Sequence, residues 1–192
     1  MKYNSSRLIG GVITGILLLP LAPDAAEWNS GVKGQTAFSL AWKDPEMVEL
    51  IGRTDHKALG EWALECAERV MPYFEQAHPD DPRPRKALET LQTWMDTGVF
   101  KMAVIRKASL DAHAAAKDVG EDRPARSAAH AAGQAVATAH VPTHSIGAAN
   151  YAAQAVFRAA ASSEAAAAVA RERQWQGTRL RQLSEQHPLP PP

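Results

Sequence analysis

The chain has 192 residues, 45% of them hydrophobic, and its 21 Lys and Arg balance its 21 Asp and Glu. That length accommodates one domain with tails, and that apolar content can bury a core. Zero formal net charge removes the general reason to expect a nucleic-acid partner, and a single cysteine, Cys66, excludes an internal disulfide framework or a CxxC metal knuckle.

Residues 1–26 place Lys2 and Arg7 ahead of an apolar run, Leu8–Ala22. A basic start before an apolar centre of about 7–15 residues is the form of an export signal, and the run is short of the ~20 apolar residues of a membrane span. Pro23 spoils the small-x-small cleavage site. The segment therefore reads as a signal peptide or membrane anchor for an exported protein. A start codon assigned too far upstream would instead leave the protein cytoplasmic. Residues 27–53 read as a linker with turn chemistry at Asn29-Ser30-Gly31. Within it, Asp44-Pro45 predicts a short helix through Ile51, with Asp44 as its N-cap.

The folded domain is expected over 54–186. Apolar residues at Leu59, Trp62, Ala63, Cys66, Ala67, Val70, Met71 and Phe74 form an i, i+3, i+4, i+7 stripe over Asp55–His78. Pro72 predicts a kink or break before Tyr73. Cys66 belongs to this stripe and reads as a small core residue. Pro79, Pro82 and Pro84 exclude regular structure until Asp81 or Arg83. A helix then runs to Asp96 with Leu88, Leu91, Trp94 and Met95 on one face, closed by Gly98. A further helix over 101–118 is expected to turn Met102, Ile105, Ala108, Ala112 and Ala116 inward.

Ala occupies 25 of the 60 positions from 111 to 170. Ala is the strongest helix former. The stretch Ala125–Ala155 therefore predicts two helices joined at Val141–Thr143, close-packed because Ala and Gly carry little side-chain volume. A last helix is expected to begin at a Ser162 or Ser163 cap and to be interrupted near Gly177-Thr178. His187–Pro192 reads as a proline-rich disordered tail. The fold class that follows is all-α: a compact bundle of about five or six helices around an Ala-rich central helical hairpin.

Two constellations could carry function. His140 and His144 have the i, i+4 spacing of metal ligands, and His113 and His130 on neighbouring helices could complete a set. Pro142 between the first two and the lack of nearby carboxylates favour a structural reading, in which the imidazoles bond to helix ends and to one another. The other is the turn around Asp80, Asp81, Arg83 and Arg85, with Glu75 beside it. Stiff proline backbone there presents charge for partner binding, or the same groups cap and pair locally. Residues 44–96 hold 12 acidic and 6 basic side chains, a net of −6, whereas residues 101–192 hold 7 and 11, a net of +4. The acidic half is the expected partner-binding face. No Gly-rich phosphate loop, GxSxG elbow or Cys/His nucleophile pair is present. No catalytic residue or cofactor is therefore assigned.

Asp55-His56-Lys57-Ala58-Leu59, Trp62-Ala63, Cys66-Ala67-Glu68-Arg69-Val70 and Asp80-Asp81-x-Arg83-Pro84-Arg85-Lys86-Ala87-Leu88-Glu89 resemble a small bacterial family. So do His113-Ala114-Ala115-Ala116, Ala131-Ala132-Gly133-Gln134-Ala135 with Ala137-Thr138-Ala139-His140, and His144-x-x-Gly147-Ala148-Ala149-x-Tyr151. This is the immunity-protein-five-like family of polymorphic toxin systems, and the resemblance covers about 54–186. It implies an all-α protein, not an enzyme, that binds and neutralises a cognate protein toxin by occluding its active site. The second reading, of a different class, is a metal-binding helical protein or metal-dependent enzyme using His113, His130, His140 and His144.

Overall fold

Aspartate and proline set the first helix boundaries. In the computed structural model, which describes residues 38–40, 44–121, 123–187 and 189, the Asp44 carboxylate accepts hydrogen bonds from the backbone N–H groups of Glu46 (3.0 Å) and Met47 (3.4 Å). This cap opens α1 (Pro45–Gly52). Asp55 repeats the device on Lys57 N–H (2.8 Å) and Ala58 N–H (3.3 Å), opening α2 (His56–Glu68). Each cap satisfies donors that have no partner within the first helical turn.

The expected break falls at Arg69-Val70. Pro72 is then accommodated in the first turn of α3 (Met71–Ala77), where no amide hydrogen is needed. Proline again sits early in α4 (Arg83–Thr97), which ends at Gly98 with φ 67°, the left-handed conformation that closes helices. Then follow α5 (Met102–Asp118), α6 (Pro124–Ala137), α7 (His144–Ala159) and α8 (Ala165–Gln186). The fold is all-α, with no β-strand among the described residues. Among the described residues the count reaches eight because α1 stands as an element and Pro72 divides the 55–78 stretch. These helices all belong to one unit spanning 32–192. The expected export signal at 1–26 lies outside the described residues, as does most of the tail after His187. Among the described residues no helix is long and apolar enough to cross a membrane.

α6 and α7 form the central hairpin and share the most extensive helix packing. Ala128, Ala129, Ala131, Ala132 and Ala135 on one, and Ala148, Ala149, Ala152, Ala153 and Ala155 on the other, are fully buried. The bulky side chains lie around this hairpin rather than within it. Trp62, Cys66, Val70, Phe74, Leu88 and Leu91 are all buried, while Met95 is half-buried. α2 packs on α4, α6, α7 and α8 together. Its Trp62 Nε1 donates 2.9 Å to the Gln176 carbonyl of α8.

Three expectations are corrected. Met102 is 43% exposed rather than inward: it is the first residue of α5, so it lies where the chain enters the helix. Glu164, not Ser162 or Ser163, is the N-cap residue of α8, and it makes no side-chain capping bond. Gly177 does not interrupt α8, because it is buried against Met47 of α1 and packing replaces what propensity lacks.

α8 is also held by buried polar groups. Gln176 Nε2 donates to the Ala149 carbonyl (3.0 Å) and to Glu172 Oε1 (3.0 Å), and Glu172 Oε2 accepts from Arg69 of α2 (2.9 Å). The Glu172 side chain is 4% exposed. A carboxylate so placed is costly once its cation is removed, so Arg69→Ala is expected to lower unfolding free energy by about 3–5 kcal/mol in denaturant titration. Two glycines should respond oppositely. A Cβ on Gly133 would lie 2.8 Å from the His113 ring, whereas one on Gly177 meets nothing nearer than 3.5 Å. Gly133→Ala is therefore expected to destabilise by about 1–3 kcal/mol. Gly177→Ala should be neutral or stabilise by up to about 1 kcal/mol. Equal melting temperatures for the two variants would contradict the close approach at Gly133.

Candidate interaction surface

The histidines serve the hairpin. His113 of α5 and His130 of α6 face each other with Nδ1 atoms 2.8 Å apart, so one ring donates and the other accepts. His130 stacks on Tyr151 of α7, with centroids 4.8 Å apart. The His113 ring lies directly over Gly133, and Ser109 Oγ donates to the Gly133 carbonyl at 2.9 Å. His144 Nδ1 donates to Gln134 Oε1 at 2.8 Å, and the Gln134 side chain packs over Gly147. His140 is turned elsewhere and stacks on Phe100. Among the described residues no three His, Cys, Asp or Glu side chains are disposed to hold one metal ion. A further histidine, His56, was not placed in this set by spacing. Its Nε2 donates to the Thr138 carbonyl at 2.6 Å and ties the start of α2 to the end of α6.

Burial disfavours charge on these rings. His130 is pushed down to about 4, first by desolvation and then by His113, Arg126, Arg158 and Lys117. His113 is lowered by burial, His144 and Lys117, and His144 by burial and His140. Burial likewise pushes the Cys66 thiol well up, which keeps it protonated and inert.

The charges of the proline-rich turn are directed into the protein's own ion pairs. Arg83 bonds Asp81 (2.6 Å) and Asp118 at the end of α5 (2.6 Å). Arg85 bonds Glu75 (2.7 Å) and Glu68. The Arg83 guanidinium holds the Asp81 carboxyl below its ordinary range, and Asp81 Oδ1 also accepts from the Arg83 backbone N–H. Asp80 alone of the five predicted residues is exposed, the other four being half-buried. The imbalance between the halves of the sequence is met in the same way. Arg179 of α8 bonds Glu61 (2.9 Å) and Glu65 (2.6 Å), and Arg181 bonds Glu46 (2.9 Å). Glu46, Glu61 and Glu65 of the acidic half thus pair with the basic last helix.

A different surface stands open. Val99, Phe100, Met102 and Val104, around the α4–α5 turn, are 58, 43, 43 and 50% exposed. Lys101 and Arg106 lie exposed among them. Sequence reasoning missed this patch by assigning Met102 to the core. The available signal was the apolar run Val99-Phe100 placed after a helix-closing glycine, where no helical face requires it.

These elements coincide with a known sequence pattern. The pattern of the Imm-5 like putative immunity protein family matches residues 49–183, most of the chain. The chain belongs to this family. No curated protein and no solved structure matches it. The Imm-5 like match begins inside α1 and ends inside α8, so it takes in the whole histidine-clamped hairpin and the α4–α5 patch.

Because the folded rings have lowered pKa values, the unfolded chain takes up protons first as pH falls. Stability linked to His113, His130 and His144 is complete above their ordinary value near 6.5 and is lost as pH falls towards about 4. Asp81 adds its loss only lower, around and below 3.8. Melting temperature is therefore expected to decline between pH 6.5 and 4, and His130→Gln should flatten that decline. A wild-type melting temperature constant across that interval would refute the assignment.

Proposed function

We propose that this protein is an immunity protein that binds a cognate protein toxin and neutralises it by covering the toxin's active site. The observation that carries this reading is the Imm-5 like family match over 49–183, which takes in nearly all of the helical unit. A protein acting this way requires a rigid surface of complementary shape and charge, and no chemistry of its own. Supporting features are the polar network under α8, the glycine-packed hairpin and the two Asp caps, all of which hold the outer helices in place before any partner arrives. Such preorganisation lowers the ordering cost of binding. The histidines fit this account as structural groups: each of His113, His130 and His144 spends a ring nitrogen on a neighbouring side chain of α5 or α6.

Co-expression tests the reading. The toxin domain encoded beside the gene should arrest growth of a heterologous bacterium, and this chain should restore it and co-purify with the toxin at fixed stoichiometry. Restored growth without a complex would contradict neutralisation by occlusion. Continued arrest with both proteins folded and expressed would refute the immunity function.

A further inference from the structure

We propose that the toxin docks on the α4–α5 turn, at Val99, Phe100, Met102 and Val104, and that it presents there an apolar contact edged with carboxylates. The inference rests on the immunity reading and adds the face and its chemistry. Elsewhere among the described residues, large exposed apolar side chains stand singly, at Leu40, Val48, Leu110 and Leu189; here four fall within six residues. Clustered exposed apolar residues, unlike scattered ones, mark interaction sites.

The patch is also held rigid from beneath. Gly98 closes α4 through its N–H to the Trp94 carbonyl (2.8 Å), and Lys57 Nζ donates to the Met95 carbonyl (2.8 Å). Phe100 stacks on His140, and Ile105 anchors the first turn of α5 in the core. Little ordering is left for a partner to impose.

Charge selects the occupant. Lys57, Lys101 and Arg106 edge the patch, and neither Lys101 nor Arg106 makes an ion pair among the described residues. Lys107 is neutralised by Asp111 at 2.6 Å. Asp96, the acid at the end of α4, accepts from Gln92 (2.7 Å). A second copy of this chain would set Lys101 and Arg106 against themselves across a two-fold axis, which like-charge repulsion disfavours. A carboxylate-edged partner gains where a second copy loses.

The experiment uses the full chain and a catalytically inactive form of the toxin domain encoded beside its gene. Met102→Ser/Val104→Ser is expected to weaken binding about tenfold or more with an unchanged melting temperature. Lys101→Glu/Arg106→Glu should slow association and reduce its dependence on salt. Asp80→Lys, at the far end of α4, should leave binding as in wild type. Because Cys66 is buried, a Val104→Cys variant should react with a maleimide dye only at the new position, rapidly when free and slowly in the complex.

Wild-type affinity in both double variants overturns the docking face while leaving the immunity reading intact, and loss of binding in Asp80→Lys alone assigns the face to the proline-rich turn. A wild-type dimer made monomeric by Met102→Ser/Val104→Ser assigns the patch to a second copy. Slow labelling of the free monomer at position 104 assigns it to another segment of this chain. Failure of the wild-type protein to bind the toxin at all refutes the immunity reading and this face together.

Discussion

An imidazole resting on bare backbone holds the centre of this protein together. The His113 ring occupies the space where any residue but glycine at 133 would carry its Cβ, and the Gln134 side chain does the same over Gly147. Through those two contacts α5, α6 and α7 approach closely enough for the Ala faces to exclude water. A hairpin made of alanine buries little apolar area per residue, so its stability depends on how near the helices come and on the larger side chains laid over it. His130, Tyr151, Ser109 and His144 then supply the directional bonds that an alanine surface lacks. The same economy underlies the lowered pKa values of these histidine rings: packed this tightly, they are poorly solvated and resist protonation.

The outer helices pack on this centre through buried apolar side chains, and charge and Trp62 tie them to one another. Arg69 to Glu172 and Arg179 to Glu61 and Glu65 connect α2 to α8, while Arg83 and Arg85 bind the proline-rich turn to α3, α2 and α5. Apart from the buried Arg69–Glu172 pair, such partly exposed pairs contribute little to stability one at a time, but they decide which parts of the surface keep an uncompensated field. Acids spent on Arg179, Arg181, Arg83 and Arg85 offer little to an approaching partner. Among the described residues, the surface left with both apolar area and unspent charge is the α4–α5 turn, where Lys101 and Arg106 stand. The expected acidic recognition face and the proposed docking face therefore differ in sign, and the difference arises from pairing across the fold, that of Arg179 and Arg181 spanning more than a hundred positions.

Much of the fold was legible in the chain because its signals are local. Asp44 and Asp55 cap helices through their own next turn, Pro72 breaks a helix because it has no amide hydrogen, and Gly98 ends one because it tolerates positive φ. The apolar stripe from Leu59 to Phe74 and the alanine content of 125–155 likewise identify helices and their buried faces without reference to anything distant. The motif order that places the chain in its family is also a property of sequence alone. Where local rules failed, distant contacts overrode them: Gly177 stays helical because α1 lies against it, and Met102 is exposed because it stands at the mouth of α5.

What the sequence by itself determined, then, is an all-α chain, most of its helix boundaries, its alanine hairpin and its family, since each depends on residues within a few positions or on composition. Only the tertiary structure decided that His113 meets His130 and rests on Gly133, that Glu61 and Glu65 of α2 are matched by Arg179 of α8, and that Val99–Val104 is left uncovered. Those outcomes depend on which helix faces oppose one another. Helical periodicity tells which face is apolar, but the partner of that face is chosen by packing across the whole chain.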